Sequence, residues 1–195
     1  PLEDIPMATI VIFGGTGYSG GNIAREAISR GHAVISYARK PAANPVDGVD
    51  YRIGGLADDA ALAEAAAAAD DLVVALVASA YPGGLVSRVP ALVDAAIAHD
   101  ARLSFVGGAG SSLVAPGGPR LVDTPEFHDD WKPEALAHAD VLAALRESPA
   151  ELRWFYVSPA ALYGSYAPGE ATGVYRTGGD LLVTEEGGSS EVAGA

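Results

Sequence analysis

At 195 residues the chain has the length of one ordinary domain, and its 49% hydrophobic and 19% charged content is that of a globular protein, not a disordered one. A formal net charge of −13 argues against a phosphate-tracking nucleic-acid surface, and the lack of cysteine excludes disulfide frameworks, thiolate nucleophiles and Cys-ligated metals. No apolar run approaches the roughly 20 residues that cross a bilayer, so neither nucleic acid nor membrane is an expected partner. The acidic start "PLEDIPMATI" lacks the layout of a signal peptide, and a cytoplasmic location is expected. Met7 directly precedes the first strand, so residues 1–6 read as an appended leader.

In chain order, the apolar run Thr9–Phe13 is predicted as a strand and leads into "GGTGYSG". Gly14, Gly17 and Gly20 stand at G-x-x-G-x-x-G spacing, and Gly15, Gly17 and Gly20 also satisfy G-x-G-x-x-G. The following helix-period segment puts Ile23, Ala24, Ala27 and Ile28 on one face, with Arg25, Glu26 and Arg30 on the other. Strand, glycine turn and helix in that order are the context in which the pattern means a dinucleotide site. Glycine permits the tight turn, the approach of a pyrophosphate and close helix–strand packing, and the positive helix end attracts the phosphates. Thr16 and Ser19 offer hydroxyl donors, and Tyr18 offers a cover. The alternative is a glycine-rich turn that binds nothing.

The second strand, Ala33–Ala38, runs into Arg39 and Lys40. NAD-selective sites place an Asp or Glu about 20 residues beyond the glycines, where it holds the adenosine ribose. Arg39 stands 19 residues after Gly20 (39 − 20 = 19), and Tyr37-Ala38-Arg39-Lys40 contains no carboxylate. A guanidinium there suits a 2′-phosphate by charge and by its forked donors, so NADP(H) is expected over NAD(H). The alternative is an ordinary surface arginine.

Further strands are predicted over Asp50–Ile53, Leu72–Val77, Arg102–Val106 and Leu152–Val157. Between them lie helices over Asp58–Ala69 and Leu85–His99, the latter kinked or started by Pro90. Another helix has Asp130 as N-cap, Pro133 in its first turn and Ser148-Pro149 as its stop. The alternation predicts right-handed βαβ units in a single α/β domain over 1–195, a Rossmann-like doubly wound parallel sheet. Residues 158–180 are too irregular for another βα unit and read as an excursion over the substrate edge, returning through a strand at Leu181–Thr184. Residues 185–195 are expected to fray.

Four stretches carry a resemblance: "GGTGYSG" after the first strand, "ARKP" after the second, "FVGGAGSS" at the fifth and "SPAALYGSYAPGEATGVYRTG" after the sixth. Through them the chain resembles the atypical short-chain dehydrogenase/reductases. More narrowly it resembles the NAD(P)H-binding family that includes NmrA-like proteins, NADH-flavin reductases and biliverdin reductase B. The resemblance implies phosphate contacts from Gly14, Thr16, Gly17, Tyr18, Ser19 and Gly20, with the 2′-phosphate on Arg39. It implies Leu56 in the adenine pocket, Val77 and Ala78 beside the adenosine half, and Pro159 and Ala160 bordering the nicotinamide. Ser111 falls near the serine that follows the fifth strand in short-chain dehydrogenases and is the candidate catalytic residue.

Three departures bear on activity. The Tyr-x-x-x-Lys dyad of alcohol-oxidising members is absent, because only Lys40 and Lys132 occur and neither has a tyrosine four residues before it. Ala171 stands where family members often carry an arginine, and the chain stops in "SSEVAGA" where they continue with a helix. The missing layer implies an altered C-terminal edge or one supplied by a second copy or a protein partner. The expected function is therefore an NADP(H)-binding reductase that passes hydride to a small conjugated acceptor such as a flavin or quinone. The alternative is a non-catalytic NmrA-like sensor of the NADP(H) state.

Other candidates carry less. His128, Asp129 and Asp130 are adjacent and read as loop and cap, so no metal is expected. His138, four residues after Glu134, reads as half of a solvated pair. Tyr163, Tyr166, Tyr175 and Arg176 are read either as a pocket for a flat, anionic substrate or as a surface loop.

Overall fold

The computed structural model describes residues 7–194, so the expected leader, 1–6, lies outside the described residues. Six strands form one sheet: β1 (Thr9–Phe13), β2 (Ala33–Ala38), β3 (Val49–Ile53), β4 (Asp71–Val74), β5 (Arg102–Val106) and β6 (Trp154–Val157). Their order is β3-β2-β1-β4-β5-β6, and β1 pairs in parallel with both β2 and β4, as β2 does with β3 and β4 with β5. The order reverses between β1 and β4, which is where doubly wound sheets bind ligands beyond their strand ends. Helices flank the sheet, and the fold is the Rossmann-like α/β type.

The chain gathers into two compact units. One comprises the described residues up to Leu76 with Pro90–Phe105 and Pro149–Phe155; the other comprises Val77–Val89, Val106–Ser148 and the chain from Tyr156 onward. In the first unit, helix α1 (Tyr18–Ser29) lays Ala24 and Ala27 against Ile12, Val34 and Val73 in a buried cluster. Helix α2 (Asp59–Ala68) is almost all alanine, and the Asp58 carboxylate caps it by accepting the Ala60 and Ala61 N–H groups at 3.0 and 3.2 Å. Strand β4 ends at Val74 instead of continuing to Val77, and Val77 is 60% exposed. An apolar run alone did not mark where the ladder stops. A 3-10 turn, Leu85–Arg88, precedes helix α3 (Val89–Ala98), so Pro90 marks its start, where a missing N–H costs no helical bond.

In the second unit, helix α4 (Lys132–Arg146) carries Pro133 in its first turn, but Asp130 is not its N-cap. An extra 3-10 turn over Asp129–Trp131 displaces the helix start, and the Asp130 N–H donates to Nδ1 of His128 at 3.3 Å. The return at Leu181 is one parallel bridge to Leu113 and not a strand. The tail does not fray as expected. Ser190 is buried, its carbonyl accepts the Leu162 N–H at 2.8 Å, and its hydroxyl accepts the Ala161 N–H at 3.2 Å. A polar tail without periodicity is held here by backbone hydrogen bonds, which leave no hydropathy signal.

Candidate functional site

The glycine crossover lies within the first unit. Gly14 adopts φ +100°, and a Cβ there would collide with the Ala75 carbonyl at the end of β4; one on Gly20 would collide with the Gly14 carbonyl. These clashes reserve both positions for glycine on packing grounds alone. The Gly14 carbonyl accepts the Gly17 N–H at 3.0 Å, which closes the turn. Gly17 then caps α1 with extended backbone and no side-chain bond, and no acidic residue stands in the first turn. The contrast with α2 is chemical: that helix is capped by the Asp58 side chain, whereas Gly17 offers α1 no side-chain cap, and a positive helix end of that kind suits an anion. Thr16 and Gly17 are exposed there, with Tyr18 and Ser19 partly so. A bare turn, an uncapped helix end and a hydroxyl at its lip fit a coenzyme diphosphate.

Arg39 follows β2, is exposed, and forms no ion pair among the described residues. Arg52, by contrast, is held by Asp50 at 2.8 Å and Glu64 at 2.5 Å. Leu56 is 1% exposed, so its side chain belongs to the core and lines no open adenine pocket.

The second unit holds a cavity of about 460 Å³. Pro159 and Ala160 line it, as do Tyr163 and Tyr166, with Phe127 and Trp131 from the segment before α4. Gly107, Gly108, Ala109 and Gly110 form another wall. This explains part of "GGAGS" without any ligand: the Tyr156 ring occupies the space that a Cβ on Gly107 would need. The Tyr156 hydroxyl accepts the Gly108 N–H at 3.4 Å and donates to the His138 carbonyl at 3.2 Å. Burial pushes its pKa up to about 12, so it is a neutral structural donor.

Glu134 and His138 are not a solvated pair. His138 is 6% exposed, and its Nε2 lies 3.0 Å from Glu134 Oε1. The Glu134 carboxylate also accepts the Ala78 N–H at 2.8 Å and the Ser79 N–H at 2.7 Å. Burial alone would raise the Glu134 pKa; the hydrogen bonds from His138, Ser79 and Ala78 outweigh it and hold the group at about 2. Both groups line the cavity. Sequence spacing showed the i,i+4 relation, but the partner amides lie 55 and 56 residues away and left no local signal.

Ala78 is fully buried and its N–H is engaged by Glu134, while Val77 stands exposed. Ser111 does not line the cavity, and its hydroxyl is buried beside the Tyr156 hydroxyl. It therefore presents no donor to a ligand in that cavity. Tyr175 is 77% exposed, and Arg176 is tied to Glu185 at 2.6 Å and to the Thr184 carbonyl at 2.9 Å, so neither lines it. No group of three or more His, Asp or Glu among the described residues could hold a metal ion, and Asp129 is paired with Lys132 at 2.7 Å. No helix among the described residues is long and apolar enough to cross a membrane.

Comparison with known proteins gives a family model described as NAD(P)H-binding, which matches residues 14–193. The uncharacterized protein YwnB of Bacillus subtilis (strain 168) is 34% identical over 191 residues, covering 94% of this chain and 85% of the relative. A solved structure described as a "putative exported protein" from Burkholderia pseudomallei is 39% identical with a TM-score of 0.80, covering 96% of this chain and 88% of that one. A "putative NADH-flavin reductase" from Streptococcus pneumoniae TIGR4 is 29% identical with a TM-score of 0.83, covering 96% and 87%.

Proposed function

Because the chain belongs to the NAD(P)H-binding family, we propose that it is a reductase that binds NADP(H) and reduces a small conjugated acceptor such as a flavin or quinone. The observation that carries this reading is the aromatic-walled cavity of the second unit, bordered by Pro159 and Ala160, in a chain similar to a protein named as a flavin reductase. When bound, the reduced coenzyme would supply a hydride, which is two electrons with one proton, and the acceptor would take its second proton from water. The chain's own residues bind, orient and exclude solvent. The α1 end and Thr16 receive the diphosphate, Arg39 the 2′-phosphate, and the cavity walls the acceptor. A conjugated acceptor needs no Tyr/Lys dyad, since its proton need not come from the protein.

Purified protein is expected to oxidise NADPH when given free flavin or a quinone, followed by the loss of coenzyme absorbance. Turnover no faster than in protein-free controls across an acceptor panel would refute the reductase. Arg39→Ala should weaken NADPH binding by about 10- to 100-fold, the loss of one forked charge-assisted contact, while NADH affinity stays within about twofold. Equal losses for both coenzymes in calorimetric titration would remove Arg39 from 2′-phosphate recognition.

A second reading is a non-catalytic sensor of the NADP(H) state, favoured by the buried Ser111 hydroxyl and the absent dyad. A sensor must bind NADP+ and NADPH with different affinity, since a ligand shifts an equilibrium only through differential binding. On either reading we assign the chain to the cytoplasm, with a second copy of the chain or another protein as its macromolecular partner.

A further inference from the structure

The cavity of the second unit has a charge pattern that the reductase reading leaves unused. Its walls include two carboxylates, Glu126 and Glu134, and neither lysine nor arginine. Four cations elsewhere in the same unit are committed to their own acids: Arg120 to Asp123 at 2.7 Å, Lys132 to Asp129 at 2.7 Å, Arg146 to Asp180 at 2.7 Å and Arg176 to Glu185 at 2.6 Å. None of the four lines the cavity. Glu134 is a fixed anion: two backbone amides and His138 hold its oxygens, and the same bonds keep it ionised at any ordinary pH. Its side chain remains 36% exposed, so the carboxylate still presents surface to a ligand donor. Part of the apolar wall is aromatic. Trp131 meets Phe127 edge to face at 6.5 Å and lies 5.3 Å from the His128 ring. Such faces favour flat rings, and positively charged ones most of all.

We infer that this cavity takes a flat, multi-ring ligand without negative charge, and that Glu134 and Glu126 select uncharged or cationic rings over anionic ones. An anionic ring would have to enter past two carboxylates with no lysine or arginine in the wall to offset them. A cationic or N–H-bearing ring gains a charge-assisted hydrogen bond to a carboxylate that is already desolvated and oriented. The inference rests on the reductase reading only in calling that ligand the acceptor. It narrows the acceptors to neutral flavins, neutral quinones and cationic heteroaromatics, and it disfavours ring systems bearing sulfonate or carboxylate groups.

The test titrates the whole chain, without coenzyme, with three planar three-ring probes: N-methylphenazinium (cationic), riboflavin (neutral) and anthraquinone-2-sulfonate (anionic). At low salt, about 20 mM, where screening is weak, calorimetry should rank them in that order with about a tenfold gap between the ends. Glu126→Gln should narrow the gap, and the Glu126→Gln/Glu134→Gln double variant should bring it within about threefold. If the double variant fails to fold, as circular dichroism would show, Glu126→Gln alone decides. The sulfonate binding as tightly as the cation, a gap that the variants leave unchanged, or no binding by any probe at about 1 mM would each overturn the inference. The expected ranking without NADPH turnover would uphold the site and refute the reductase. Turnover with the ranking reversed would do the opposite.

Discussion

Gly14→Ala and Gly17→Ala are expected to fail in different ways, although the two residues sit three apart in one motif. At Gly14 the backbone is left-handed, with φ +100°, and the new methyl would meet the Ala75 carbonyl. Left-handed strain and overpacking together should cost about 3 kcal/mol of folding stability, read from urea unfolding. At Gly17, φ is −86° and a Cβ would stand 3.3 Å from the Gly14 carbonyl, a contact that needs only a small shift. Gly17→Ala should therefore fold within about 1 kcal/mol of the parent. Its methyl would stand at the α1 end, however, and NADPH affinity should fall about tenfold or more. A Gly17→Ala protein that binds NADPH normally would move the phosphates away from this turn.

Acid should reveal Glu134. Its carboxyl is depressed from an ordinary 4.5 to about 2 in the folded chain, because the bonds from His138, Ser79 and Ala78 overcome the penalty of burial. A depressed carboxyl contributes stability that is complete above the unfolded pKa and is lost as pH falls through the folded one. The window is therefore pH 4.5 down to about 2. After allowance for its partial exposure, the contribution is about 2 kcal/mol. Glu134→Gln should lose most of that stability at pH 7 and flatten the decline within the window, read from unfolding midpoints at each pH. An unchanged acid profile in the variant would show that the carboxylate is not held as described.

Much of the fold was legible because each βα unit announces itself locally. β1, β2 and β5 coincide with their apolar runs, and Asp58 signals α2 by the carboxylate that caps it. What was not legible depends on partners distant in sequence. Gly107 reads as part of a ligand motif, yet the phenol of Tyr156 accounts for it. His138 reads as half of a solvated pair because it stands four residues after Glu134; burial against the cavity wall decides otherwise. The tail reads as loose because the hydrogen bonds of Ser190 leave no trace in hydropathy. Arg39 and the glycines were legible as a pattern, and close packing reserves Gly14 and Gly20 for glycine, but a pattern specifies a ligand only by chemistry.

That chemistry is open to calorimetric titration of the whole chain with NADPH, paired with thermal unfolding. Saturable heat with a dissociation constant of about 10 μM or below is predicted. So is a stabilisation of about 2.7 kcal/mol when the coenzyme stands at a hundred times that constant. No heat and an unmoved melting temperature at about 1 mM coenzyme would contradict a phosphate-binding role for the uncapped helix and its glycine turn.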